Sequence, residues 1–148
     1  MATIIKIADA VVDALNTPPT PFSLSFNAER LYQPIFELPE MADLHVSVVP
    51  SAIPEMKAET RQSKTRSYAI DIAVQQKISS DDPSELDPLM DLVEEIIDAF
   101  DGKRLDNYSS AICVLSKNEP VFDPEHLAKL RQFTSVITLT YRVSFFKD

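Results

Sequence analysis

The hydrophobic pattern in the middle of the chain changes from a period of two residues to a period of three to four. From Tyr68 to Lys77, apolar residues alternate with mainly small or polar ones, which predicts a β-strand with one buried face. After the polar stretch Ser79–Glu85, apolar residues recur at the spacing of an amphipathic helix. We expect the helix to pack on the strand, because neither element can bury its apolar side chains alone. The apolar stripe consists of Leu86, Leu89, Met90, Val93, Ile96, Ile97 and Phe100.

The same patterns predict a helix and two short strands in the N-terminal part of the chain. The helix spans approximately Ile4–Asn16, with Thr3 as its N-cap, and the prolines that follow end it. Alternation predicts strands over Phe22–Phe26 and Leu44–Val48, the second of which ends at Pro50.

Two segments of this half carry no clear period. Asn27–Met41 contains apolar residues and two prolines, so we expect an irregular or extended segment whose aromatic side chains pack against the sheet. Ser51–Thr65 is mainly polar and is too long for a tight turn, which predicts a long loop between two strands. We expect the tip of this loop to be mobile in the isolated monomer.

The C-terminal part begins with the second helix, for which Ser84 and Asp87 are both candidate N-caps. Gly102 is suited to end this helix because it can adopt a left-handed conformation. A short strand over Ala111–Leu115 and one helical turn over Pro124–Leu130 follow.

The last strand covers Ile137–Phe145, and neither it nor Tyr68–Lys77 contains any of the eleven prolines of the chain. Proline cannot donate to a sheet ladder, so these two strands are expected to be central or well paired. The predicted fold is α+β in a single domain of residues 1–148. It has an antiparallel or mixed sheet of about four to five strands, two helices packed on one face and a long loop between strands.

The charge of the chain is concentrated in one place. The formal net charge is −9, and nine acidic residues lie in the span Asp81–Asp101, which contains no Lys or Arg. Elsewhere acids and bases are equal in number. A surface with this concentration of negative charge does not favour binding to nucleic acid. It is either a solvated helix face, or a surface that avoids DNA or meets a basic partner.

Residues with catalytic or ligating chemistry are few. His45 and His126 lie in different elements, and no spacing suggests a third metal ligand. Cys113, the only cysteine, lies in an apolar run and is expected to be a buried structural thiol. With Gly102 as the only glycine, phosphate-binding loops of the Walker or dinucleotide type are excluded. We therefore expect no enzymatic activity, no metal and no cofactor.

Membrane association is not indicated either. The apolar runs are too short to span a bilayer, and we expect no signal peptide at the N-terminus.

The predicted long loop carries the basic residues Lys57, Arg61 and Lys64, with Arg66 just beyond it. No aromatic residue separates them in sequence, so a base-stacking platform is not supported. Two interpretations remain. The segment is a solvated loop, or it is an intersubunit arm whose cations meet acids on a neighbouring copy.

Two segments carry a resemblance to a known family. They are Leu44–Pro50 (LHVSVVP) and Tyr68–Gln75 (YAIDIAVQ), separated by the polar segment with Arg61. The pattern and the order of elements resemble the tail-terminator and tail-completion proteins of long-tailed bacteriophages.

The resemblance implies a structural virion protein that is assembled in the host cytoplasm. It implies a homo-oligomeric, usually hexameric, ring that ends the tail tube and joins it to the head connector. The partners would be the tail tube protein and the head-completion protein. Double-stranded DNA would pass through without specific binding, and no enzymatic activity or cofactor would be needed. The acids expected to line the channel or to face the neighbour are Asp87, Asp91, Glu94, Glu95 and Asp98. The alternative is a small cytosolic adaptor domain that dimerises through an exposed sheet edge.

Overall fold

A computed structural model describes residues 1–33, 43–79, 82–119 and 121–146. In this part of the chain, the helices are α1 (Thr3–Asn16), α2 (Pro83–Phe100) and a single π-helical turn (His126–Leu130). The strands are β1 (Ala28–Arg30), β2 (His45–Ala58), β3 (Ser63–Lys77), β4 (Arg104–Leu105), β5 (Tyr108–Asn118) and β6 (Gln132–Phe146).

The strands form one sheet in the order β1-β2-β3-β6-β5-β4. The sheet is mixed, because β1 is parallel to β2 while the other pairs are antiparallel. The α+β class is therefore confirmed, but the sheet has six strands in the described part rather than four to five. The two long proline-free strands, β3 and β6, occupy the centre as predicted and pair along their whole lengths. The additional strands, β1 and β4, have three and two residues, which is too short for a periodic signal.

One core joins both helices to one face of the sheet. The register places Val46 opposite Val74, Ile72 opposite Ile137, and Ile70 opposite Leu139, so buried side chains of three strands share this face. The side chains of α1 that reach the core include Ile7, Val11 and Leu15, and those of α2 include Leu89, Leu92, Val93, Ile96 and Phe100. Leu92 is completely buried, although the predicted apolar stripe of this helix did not include it.

The start of the chain differs from the prediction in two respects. Thr3 is the first residue of α1 rather than its cap, and the N-cap residue Ala2 provides no side-chain hydrogen bond. Phe22–Phe26 is not a strand, although its aromatic side chains pack against the core. The strand begins instead at Ala28, whose N–H and carbonyl group both bond to the side-chain amide of Asn16 at the end of α1, at 2.8 and 3.0 Å.

Most of the irregular segment Asn27–Met41 lies outside the described residues, from position 34 onward. Within its described part, Tyr32 is 69% exposed, so this aromatic ring does not pack against the sheet as expected. The nearby Arg30 guanidinium lies 5.7 Å from the Tyr32 ring and bonds to Asp9 on α1 at 2.7 Å. That ion pair ties β1 to the helix.

The second helix begins earlier than expected. Asp82 is its N-cap and accepts a hydrogen bond from the Ser84 N–H at 3.0 Å, so neither Ser84 nor Asp87 caps the helix. This bond stabilises the carboxylate and lowers the pKa of Asp82. At the other end, Gly102 has a φ angle of 70°, the left-handed conformation that was predicted.

Tyr141 places a hydroxyl group inside the core. Its side chain is fully buried, and the oxygen has no hydrogen-bond partner among the residues that the structure describes. Burial raises the pKa of Tyr141 well above its ordinary value of 10.0, and Cys113 adds to this effect. Unfolding returns the phenol to water and to its ordinary pKa. The neutral phenol therefore leaves stability unchanged below that value, and stability falls as the pH rises above it.

We predict that Tyr141→Phe leaves the free energy of unfolding at neutral pH unchanged or raises it by up to about 1 kcal/mol, because an unsatisfied buried hydroxyl is removed with little change of shape. The variant should also lose less stability than the parent above the ordinary tyrosine pKa. Urea unfolding at neutral and alkaline pH measures both effects, with Tyr108→Phe as a control at a half-buried tyrosine. A loss of more than about 1 kcal/mol at neutral pH would mean that the hydroxyl has a partner after all.

Candidate functional site

The segment Ser51–Thr65, predicted as a long loop, is a β-hairpin. Strand β2 continues through Pro50 and Pro54 to Ala58 and pairs with β3, with irregularities of register at Ala52. The prolines are tolerated because β1 covers only Val46–Val48, and no described strand lies on the outer edge of β2 beyond that point. The prediction of a loop was therefore wrong, since proline was taken as the end of a strand when it marks an edge strand.

A four-residue turn, positions 59–62, joins the two strands of this hairpin. The Thr60 hydroxyl oxygen accepts hydrogen bonds from the N–H groups of Gln62 and Ser63, and the Ser63 carbonyl accepts from Glu59 and Thr60. Residues 51–62 are all exposed. We call residues 51–66 the arm. Its tip has a defined hydrogen-bonded turn, and its mobility in the monomer stays a prediction.

The four predicted basic residues all lie on the arm, and Phe145 of β6 lies among them. Lys64 Nζ and the Arg66 guanidinium carbon lie 5.6 and 5.7 Å from the centre of the Phe145 ring. This follows from the register, which places Phe145 opposite Lys64. No aromatic residue separates these cations along the sequence, as predicted. In the folded protein, however, the ring of Phe145 lies beside two of them, Lys64 and Arg66. Arg61, Lys64 and Phe145 line a concavity of about 530 Å³ at the tip.

No ion pair within the described residues neutralises the cations of the arm. In the described ranges, ion pairs join Arg30 to Asp9 and Lys117 to Glu119, the His126 ring lies 3.7 Å from Asp123, and none of these contacts involves the arm. Lys57, Arg61 and Lys64 are exposed, and Arg66 is partly exposed. The arm thus presents four positive charges together with the carboxylates of Glu55 and Glu59, which leaves it a net charge of +2.

The predicted acidic surface on α2 separates into two groups. Asp87, Asp91, Glu94 and Asp98 are exposed and are spaced by four, three and four residues, so they share one side of the helix. We call these four residues the acidic face. At this spacing in sequence, the Cβ atoms of neighbouring members of the face lie about 5–6 Å apart.

Glu95 does not belong to this face. Its two carboxylate oxygens accept hydrogen bonds from the N–H and the hydroxyl group of Ser23, at 2.9 and 2.5 Å. Glu85 likewise accepts from the Ser79 N–H, and Asp101 accepts from the Ser116 hydroxyl. Part of the acidic span therefore secures local structure, and Asp81 lies outside the described residues.

The histidines and the cysteine lie in structural settings. His126 Nδ1 is 2.9 Å from the Thr134 hydroxyl, and its other ring nitrogen is 3.7 Å from Asp123. His45 lies opposite Gln75, which in turn lies opposite Thr134, so both histidines approach the same face of the sheet. Cys113 is 1% exposed and contacts the Ser116 hydroxyl at 3.5 Å. The described residues contain no group of three His, Cys, Asp or Glu side chains able to hold a metal ion.

The structure thus defines the chain as an α+β protein whose distinctive surfaces are a basic arm and an acidic helix face. Its sequence matches no protein-family model and no curated protein. No described helix combines the length and apolar character that crossing a bilayer requires. The two surfaces, rather than a relative, are the basis for the functional argument.

Proposed function

We propose that the chain is a structural virion protein that forms a ring at the head-proximal end of a phage tail tube, stops tube growth and joins the tail to the head. The observation that carries this proposal is the arm, a β-hairpin with four cations that have no ion-pair partner within the described part of its own subunit. The two segments that resemble tail terminators also lie side by side, with Val46 opposite Val74 and Val48 opposite Ile72.

The arm and the acidic face are complementary in charge, and the spacing between their charged residues is similar. Lys64 and Arg66 are two residues apart on one strand face, which spaces them by about 6.6 Å. The Cβ atoms of neighbouring acids on α2 are separated by a similar distance of about 5–6 Å. An arm lying along the helix of the next copy could therefore form several ion pairs at once. Because the two surfaces differ, the contact can repeat head-to-tail from copy to copy, which closes into a ring if the rotation permits. The other arrangement of the same contact is a two-fold dimer in which two copies exchange arms.

Such a ring needs no reaction and no cofactor. It would bind the tail tube protein at the open tube end and present the head-completion protein with a surface that no further tube subunit can use. Carboxylates of the acidic face that do not contact the neighbour would repel the DNA backbone, so DNA would pass through the channel without being held.

The alternative function, an adaptor that dimerises through a sheet edge, has one observation in its favour. Beyond Val48, the outer edge of β2 has no neighbouring strand in the described part. However, Pro50 and Pro54 cannot donate hydrogen bonds there, and proline is a common means of protecting an edge from strand addition. The edge is therefore less suited to pairing than the arm is to an ionic contact.

We predict that the purified protein, mixed with tail tubes, binds only at tube ends and there forms a ring. Light scattering of the protein alone and with tube protein, combined with electron microscopy of the tubes, makes this measurement. A stable dimer that ignores tubes would support the adaptor and contradict the tail assignment. A protein that is monomeric alone but binds tube ends would still support the ring.

A further inference from the structure

A groove of about 340 Å³ lies between the proline-rich segment after α1 and the C-terminal half of α2. Its lining is formed by residues 18–22 and by Glu95, Asp98 and Ala99 of the helix, and Lys103 also contributes to it. The bonds from Ser23 to Glu95 hold the proline-rich segment against the helix. The groove is therefore built by two elements in contact and does not depend on a single flexible loop.

The chemistry of the groove suits a long basic side chain. Prolines, Phe22 and Ala99 give it an apolar lining, and two carboxylates lie along one wall. Lys103 donates to the backbone carbonyl of Asp98 at 3.2 Å, and no described cation pairs with the Asp98 carboxylate. An arginine can lay its aliphatic part on apolar surface while its guanidinium group reaches a carboxylate.

The arm supplies a side chain of this kind. Arg61 is exposed in the turn at the tip, whereas Lys64 and Arg66 are held over the Phe145 ring of their own subunit. No ion pair or ring contact engages Arg61 within the described residues. Lys57 also lacks such contacts, but it lies within strand β2, whereas Arg61 lies in the tip turn and is therefore better placed to enter a site on another molecule.

We infer that the groove is the receptor for Arg61 of a second copy of this chain. This inference rests on the proposed ring and specifies its contact. Arg61 enters between the prolines and α2 and pairs with Asp98, beside Glu95, while Lys64 and Arg66 meet the acidic face further along the helix. Each copy then offers one arm and one groove, so that every subunit links two neighbours.

Disulfide trapping tests this contact without removing Arg61 or Asp98. Gln62→Cys places a thiol beside Arg61, and Thr20→Cys places one at the groove, both at exposed positions. The natural Cys113 is buried and stays in place. Under mild oxidation, the doubly substituted protein should give a ladder of covalent multimers, because each head-to-tail link leaves a free thiol at both ends. A matched control pairs Gln62→Cys with Asp106→Cys, which is also exposed but lies in the β4–β5 turn.

Charge reversal within the trapping variant then tests the ion pair. Arg61→Glu or Asp98→Arg alone should lower the yield of multimers about tenfold, because like charges would face each other. Combining Arg61→Glu with Asp98→Arg should restore it. Covalent dimers without higher multimers, a ladder unaffected by Arg61→Glu, or the same ladder from the control pair would overturn the inference.

The failure of this inference can be distinguished from the failure of the proposed function. The parent protein is assayed for binding to tube ends. In parallel, the doubly substituted variant is oxidised both on those tubes and in solution. If the parent protein caps tube ends but the trapping variant gives no ladder of multimers, the groove contact is overturned and the proposed ring is retained. A ladder that depends on Arg61, from a protein that ignores tubes, would keep the groove contact and overturn the tail assignment.

Discussion

Reversing Arg61 and Lys64 together to glutamate is expected to abolish ring formation at tube ends. Arg61 lies in the tip turn and Lys64 at the start of β3, and neither has an ion-pair partner in the described part of the subunit. Reversal therefore removes within the monomer only the contact of Lys64 with the Phe145 ring, worth about 0.5–1 kcal/mol at an exposed site. In the ring, the new carboxylates would face the acidic face and the groove of the neighbour. Placing like charges together at an interface costs several kcal/mol, so we expect the contact to weaken by about 100-fold or more.

The matched control is the pair Lys6→Glu and Lys77→Glu, which makes the same change in net charge at exposed positions away from the arm. Capping of tubes is counted by electron microscopy for both variants, and circular dichroism confirms that both are folded. Normal capping by the doubly reversed arm would contradict the proposed role of these residues. Loss of capping in the control as well as in the arm variant would show that net charge, rather than the arm, decides assembly.

Leu92→Ala is expected to lower the free energy of unfolding by about 2–5 kcal/mol, which is a large share of the stability of a domain of this size. Leu92 is completely buried on the inner side of α2 and belongs to the core that joins both helices to the sheet. Truncation removes apolar contacts and leaves a cavity that the long strands β3 and β6 cannot collapse to fill.

Urea unfolding monitored by circular dichroism measures this loss, and an unchanged m-value would show that both proteins unfold in the same way. The control is Asp91→Ala, one residue earlier on the exposed side of the same helix, which should change stability by less than about 0.5 kcal/mol. A loss below about 1 kcal/mol for Leu92→Ala would mean that α2 does not pack as described.

The elements with long uninterrupted periods were predictable from the sequence. Strands β3 and β6 alternate over many residues without proline, and α2 repeats its apolar positions over several turns, so local pattern and tertiary burial agree. Strand β1 was not predictable in this way. Its three residues are placed by the Asn16 side chain and by pairing with β2, which are contacts between distant parts of the chain.

The candidate site was predictable in its charges but not in its form. Lys57, Arg61, Lys64 and Arg66 were identified as a possible arm, while Pro50 was taken to end the strand that in fact continues to Ala58. Whether a proline interrupts a strand depends on whether another strand pairs with its outer edge, and that is a tertiary property.

Phe145 and Glu95 show the same limit. Phe145 reaches the arm cations only through the register of β3 with β6, and Glu95 is set apart from the neighbouring acids only by its bonds to Ser23. No local pattern carries either fact. Pairing residues that are far apart in sequence requires the fold itself.

The central claim is that this chain acts through the contact of each copy with the next, at the end of a tube. Cryo-electron microscopy of the protein bound to tail tubes tests it most directly. We predict a closed ring of identical head-to-tail contacts, with each arm lying on α2 of its neighbour and Arg61 between residues 18–22 and Asp98. A two-fold symmetric dimer, or a ring in which the arm contacts neither the groove nor the acidic face, would contradict the account.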